Sequence, residues 1–102
     1  MRRRIGYATA AIFQALASGH RFGLDVMRVT GFPSGTVYPT LTRAEAGALV
    51  RGRWEKRSTA TAEARPRRRY YELTPAGEQA LTEALDRFGQ LAAATSGSRR
   101  RS

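Results

Sequence analysis

Cysteine is absent from this sequence. That excludes a disulfide framework, thiolate nucleophiles and cysteine-ligated metal sites. Histidine occurs once, as His20, with no partner carboxylate at a ligand spacing, so no metal is expected. Ser18, His20 and Asp25 could be written as a hydrolytic trio, but no oxyanion motif brackets the serine. His20 is better read as the start of a helix. No glycine-rich phosphate loop occurs, so the residues imply no cofactor and no enzyme. No apolar run is long enough to cross a bilayer, and no membrane partner is expected.

Acid is also scarce. Eight Asp and Glu stand against eighteen Lys and Arg, a formal net charge of +10 over 102 residues. Lys56 is the only lysine. GC-rich codons can favour arginine over lysine, but they do not explain the excess of base over acid. Such a balance favours a polyanionic partner: DNA, RNA or an anionic surface. The length suits one small domain, for which a partner subunit adds useful buried surface.

The first residues, "MRRRIGYATAAIFQALASG", mimic a secretory signal: a basic start, an apolar stretch and small residues at the end. Gln14 interrupts that stretch, and Ile5, Ile12, Phe13 and Leu16 fall on one helical face, so an amphipathic helix over 4–17 is the better reading. Ser18-Gly19 ends it. A second helix is predicted over 20–30, carrying Phe22, Val26 and Val29 and stopped by Gly31. A third is predicted over 34–46, with Ser34 as N-cap and Val37, Leu41 and Ala44 as its inner stripe. Gly47 is expected to take the left-handed position that ends it.

Periodicity then changes. "VRGRWEK" (50–56) and "RRRYYEL" (67–73) are short, aromatic and β-leaning. They predict a hairpin whose tip, "RSTATAEARP", is long and mobile. Alternation from an inward Leu73 sends Tyr71 inward and Tyr70 outward. Trp54 is read as packed under the hairpin. Thr74-Pro75 restarts a helix with Thr74 as N-cap, and Leu81, Leu85, Phe88 and Leu91 share one face of it. "TSGSRRRS" reads as a disordered basic tail over 95–102. The fold is therefore mainly α with a small β-hairpin. Three helices followed by a hairpin is the winged helix-turn-helix plan, here over 1–73, with one C-terminal dimerisation helix over 74–94.

The stretch "PSGTVYPTL" holds two helix-weakeners inside the third helix. Pro39 lacks the N–H that would bond the carbonyl of residue 35, and its ring presses on that carbonyl. Residue 35 is glycine, which shifts its backbone most easily. The pair gives a slightly opened first turn rather than a broken helix. Gly35, Pro39, Thr42 and Arg43 point outward, flanked by Thr36 and Tyr38. A slim, donor-bearing turn with almost no acid fits a DNA major groove. Its hydroxyls and free N–H groups can meet phosphate or base edges, Pro39 a thymine methyl, and Arg43 a phosphate or guanine.

Residues 51–73 carry eight basic side chains and three acidic ones, a net +5 in one hairpin. Packed like charges destabilise a sheet unless neutralised, and phosphate would neutralise them. Arg57, Arg65, Arg67, Arg68 and Arg69 are the candidate backbone contacts, with 65–69 near the minor groove.

The runs "ALASGHRFGLDV", "SGTVYPTLTRAEAGALVRGRWE" and "RPRRRYYELTPAG" together resemble the PadR family of bacterial transcriptional regulators across nearly all of residues 12–77. The resemblance implies a dimeric winged-helix repressor whose C-terminal helix packs on the partner's first helix. It also implies that Ser34, Thr36, Tyr38 and Pro39 face DNA, with the hairpin as the wing. Ala44 stands where the family has leucine. The family's glycine before the helix-ending leucine is Ala48 here, one place after Gly47. Some family members hold a drug or phenolic effector between subunits. The last helix carries no distinctive aromatic pair, so an effector stays open.

The expected function is a cytoplasmic, nucleoid-associated regulator that binds double-stranded DNA as a homodimer on a pseudo-palindromic operator. Ile5, Ile12, Leu16, Leu81, Leu85, Phe88 and Leu91 would be buried within and between subunits. The competing readings are a non-specific architectural or RNA-binding protein, and a winged-helix protein–protein adaptor.

Overall fold

The computed structural model describes the backbone of residues 4–101 and the side chains of residues 4–94. The element order is α1 (Tyr7–Ala17), α2 (Gly23–Thr30), α3 (Ser34–Ala46), β1 (Val50–Trp54), α4 (Arg57–Ala62), β2 (Arg69–Leu73) and α5 (Pro75–Arg101). Helices α1, α2 and α3 meet around Ile12, Phe13, Val26, Val37 and Leu41, the largest fully buried side chains. Each contributes about 1.5–3 kcal/mol by leaving water. Val50 and Tyr71 close the core from the sheet, and Ala80, Leu81 and Ala84 from α5. This is the expected winged-helix layout, mostly helical with one antiparallel hairpin and a C-terminal helix.

Two helices start later than their periodicity predicts. Helix α1 begins at Tyr7 rather than residue 4, with Gly6 extended ahead of it. The Arg87 guanidinium of α5 donates to the Ile5 carbonyl, and Tyr7 meets Phe88 edge-on at 5.7 Å, so the entry to α1 is held against α5. Helix α2 begins at Gly23 rather than residue 20. The missing turn is extended instead: the Tyr71 N–H donates to the Arg21 carbonyl at 2.7 Å, and Phe22 bridges Tyr70. A tertiary pairing with β2 overrides the local helical pattern. Val29 of α2 is exposed rather than in the core.

Helix α3 keeps its expected span, but its cap differs. Pro33 is the N-cap, and its carbonyl accepts from the N–H groups of Thr36 and Val37; Ser34 is the first helical residue. At the other end Gly47 has φ −88°. The left-handed residue is Ala48, at φ +60°, so the turn sits one place later than the glycine suggests. The Thr74 hydroxyl donates to the Ala48 carbonyl at 2.6 Å, and Leu49 N–H donates back to Ala44. These bonds hold Ala48 in a conformation unfavourable for a residue with a Cβ.

In the hairpin Val50 pairs with Leu73, Gly52 with Tyr71 and Trp54 with Arg69. The segment expected to be a mobile tip contains α4, with Ala60 buried beneath it. Thr74 caps α5 as predicted, its hydroxyl accepting from the Gly77 N–H at 3.1 Å. A Cβ on Gly77 would stand 1.9 Å from the Leu49 carbonyl oxygen, so only glycine lets α5 cross the hairpin this closely. Ile5, Ile12, Leu16 and Leu81 are buried inside the single subunit. Phe88 is half-buried, whereas Leu85 and Leu91 are 48% and 66% exposed. Helix α5 continues past residue 94; the expected basic tail falls outside the residues whose side chains are described.

Candidate nucleic-acid interface

Helix α3 is amphipathic by position. Val37, Thr40, Leu41 and Ala44 are buried, while Ser34, Gly35, Pro39, Thr42 and Arg43 are exposed and Thr36 is half-buried. Pro39 lies within the continuous helix, and a Cβ on Gly35 would meet nothing within 4 Å, so the first turn is slim and open. No side chain caps it. The N–H groups of Ser34 and Gly35 are therefore left for an outside acceptor, at the end of the helix dipole that favours anions. Arg43 rests on its own helix, 3.4 Å from the Thr40 hydroxyl.

Tyr38 is 44% exposed. Its ring leans back onto α2, and a Cβ built on Gly23 would stand 2.2 Å from the ring. Beyond it opens a recess of about 480 Å³, lined by Phe22, Leu24 and Tyr38 on the helical side and by Trp54, Arg67 and Arg68 on the hairpin side. The exposed flank of α3 and the arginine edge thus share one concavity.

The hairpin's arginines divide into two groups. Arg65, expected against phosphate, is turned inward. Both terminal nitrogens donate to the buried Glu55 carboxylate, at 2.7 and 2.8 Å. That carboxylate also accepts from the Tyr70 hydroxyl at 3.0 Å and the Arg68 N–H at 3.3 Å. The Arg65 bonds, followed by those from the backbone and Tyr70, hold the Glu55 pKa near 2. The same carboxylate raises the Arg65 pKa. Arg69 is also engaged, bonded to Glu45 at 2.7 Å, and Gly52 leaves room for that pair. Tyr70 is correspondingly not a free outward ring: it stacks edge-on against Phe22.

The second group is available. Among the described residues no carboxylate pairs with Arg53, Lys56, Arg57, Arg67 or Arg68. Arg67 donates through Nε to the Glu55 carbonyl at 2.9 Å, with its guanidinium 5.7 Å from the Trp54 ring. Arg68 lies 4.0 Å over Phe22. These cation–π contacts orient the cations without neutralising them. Trp54 is 56% exposed between Arg67 and Arg69, rather than covered by the hairpin.

The sequence places Phe22 only among the apolar residues of the second helix and assigns Glu55, Phe22 and Gly23 no part in the site. An acid set among eight bases, with an aromatic just before it, is the signal that points to Glu55. Nothing local marks Gly23. His20 lies in the turn before α2 and bonds Asp25 at 2.8 Å. Arg28 donates to the other Asp25 oxygen. Asp25 is buried in the first turn of α2, and the His20 bond lowers its pKa. The Ser18 hydroxyl instead faces Gln14, so His20, Asp25 and Arg28 form a turn brace without it.

The family model for the transcriptional regulator PadR-like family matches residues 12–83. No curated protein matches the chain. Among solved structures, a PadR family transcription regulator from Clostridium difficile R20291 superposes with a TM-score of 0.77 at 21% identity, covering 90% of this chain and 97% of its own. A PadR-like transcriptional regulator from Bacillus cereus gives 0.71 at 21%, covering 87% of each chain. BpsR of Bordetella bronchiseptica, whose DNA binding is regulated by 6-hydroxynicotinic acid, gives 0.67 at 22%, covering 90% of this chain and 64% of its own. With its winged-helix fold and a family match over most of its length, the chain belongs to the PadR-like family of DNA-binding transcriptional regulators.

Proposed function

We propose that the protein is a sequence-specific repressor that binds a pseudo-palindromic operator as a two-fold dimer in the bacterial cytoplasm. The carrying observation is the shared recess: Tyr38 of α3 on one wall, Arg67 and Arg68 of the hairpin on the other. In this reading Ser34, Gly35, Thr36, Tyr38, Pro39, Thr42 and Arg43 meet the major groove, and Arg57, Arg67 and Arg68 hold the phosphates. Base contacts specify and phosphate contacts position. Arg65 and Arg69 support the wing through Glu55 and Glu45. The exposed Leu85, Leu91 and Tyr7 favour a second copy packed along α1 and α5. The protein acts by binding, with no catalytic step.

The test starts from duplexes selected out of a random pool. Tyr38→Ala reduces discrimination between the selected and a scrambled duplex, by about five- to tenfold. Arg68→Ala weakens both duplexes alike and flattens the salt dependence by about one phosphate contact. Equal losses on both duplexes for both variants would contradict the division of roles. Uniform binding with no selected sequence would favour the architectural reading.

A further inference from the structure

We infer that Gly23 of α2 is a specificity-determining positioning residue, which acts by leaving the space that Tyr38 of α3 occupies. The inference rests on the proposed reading of α3 as the DNA-facing helix, and it concerns a residue that need not touch DNA.

Gly23 is buried at the first position of α2. Its backbone is not in the left-handed region, so its conformation does not require glycine. What requires glycine is a neighbour: a Cβ would stand 2.2, 2.6 and 2.7 Å from Cε1, Cζ and the hydroxyl oxygen of Tyr38. All three atoms are at the far end of a side chain on a different helix. The inner stripe that joins α2 to α3, through Val26, Val37 and Leu41, is fully buried elsewhere. A methyl group at residue 23 therefore displaces the ring and leaves the helix packing in place.

The displaced ring has somewhere to go. Tyr38 is almost half exposed and lines the recess that faces the arginine edge. It stands next to Pro39, on the flank of the exposed face. Swinging it off α2 moves its hydroxyl and its bulk across that face, where a groove-facing side chain must keep one position to discriminate bases. Gly23 thus couples the seating of Tyr38 against the second helix to what the third helix can read. It differs from Gly35, whose Cβ would stand in open space.

A double-mutant cycle tests this, with Gly23→Ala, Tyr38→Ala and the double variant measured on the selected and scrambled duplexes. Circular dichroism fixes a temperature at which all four proteins are folded. Gly23→Ala is expected to weaken the selected duplex about tenfold and the scrambled one less than about twofold. In the Tyr38→Ala background the same change is expected to alter neither by more than about twofold. Additive losses would overturn the inference, since Gly23 would then act independently of the ring, for example through its own N–H. A second readout needs no DNA. Tetranitromethane nitration, mapped by peptide mass, should mark Tyr38 faster in Gly23→Ala than in the parent, with Tyr7 unchanged. An unchanged Tyr38 rate would also overturn it. If the parent selects no sequence, the DNA reading of α3 fails, and nitration alone decides whether Gly23 seats the ring.

Discussion

Replacing Pro39 by alanine separates stability from recognition. Pro39 is exposed on a continuous helix, so removing its ring sacrifices little burial. Proline in a helix interior costs about 3 kcal/mol relative to alanine, through the missing N–H and the pressure on the carbonyl four residues back. Here that carbonyl belongs to Gly35, which yields and lowers the cost. Proline also stiffens the unfolded chain, which offsets about 0.4–1 kcal/mol. The balance predicts that Pro39→Ala stabilises the fold by about 1–2 kcal/mol. For a domain of this size that corresponds to roughly 4–16 °C in Tm. Urea and thermal unfolding followed by circular dichroism give both values. The same variant should bind the selected duplex less tightly, because the first turn closes and an apolar contact is lost. An unchanged or lower Tm would refute the reasoning, for it would mean that Pro39 braces the turn rather than opening it.

Other substitutions probe the supports of the site. Ala48 holds φ +60°, so Ala48→Gly should stabilise by about 0.5–1 kcal/mol in the same unfolding assay. Gly77→Ala should destabilise at or beyond the upper end of about 1–3 kcal/mol, since its Cβ would meet the Leu49 carbonyl rather than a movable side chain. The Glu55 pKa falls from 4.5 to about 2 on folding. Its stabilising contribution is therefore present above pH 4.5 and is lost as the pH falls from there through about 2. Emission from Trp54, the only tryptophan, should report the hairpin loosening across that window. Glu55→Gln removes the titrating group and should abolish the transition.

Helix α3 was legible because its two ends and its inner stripe are encoded within thirteen residues. The hairpin was legible for the same reason, through short aromatic runs and the Thr74-Pro75 restart. What escaped depends on distant partners. Arg21 and Phe22, expected within the second helix, are extended instead because Tyr71 and Tyr70 pair with them from some fifty residues later. The entry to α1 is set by Arg87 of α5. Charge counting located the arginine edge, yet could not show that Arg65 is spent on Glu55 and Arg69 on Glu45. The short α4 has weak helix formers, and it stands because Ala60 is buried. The outward face of α3 was readable from a helical wheel; the seating of Tyr38 on Gly23 was not, because it joins two helices.

The most direct measurement is a hydroxyl-radical footprint, at moderate salt, on the DNA flanking the protein's own coding sequence. One bounded site is expected, with two protected halves centred about one helical turn apart, and it should be absent with Tyr38→Ala at the same protein concentration. No protection, or even protection along the whole fragment, would contradict this reading.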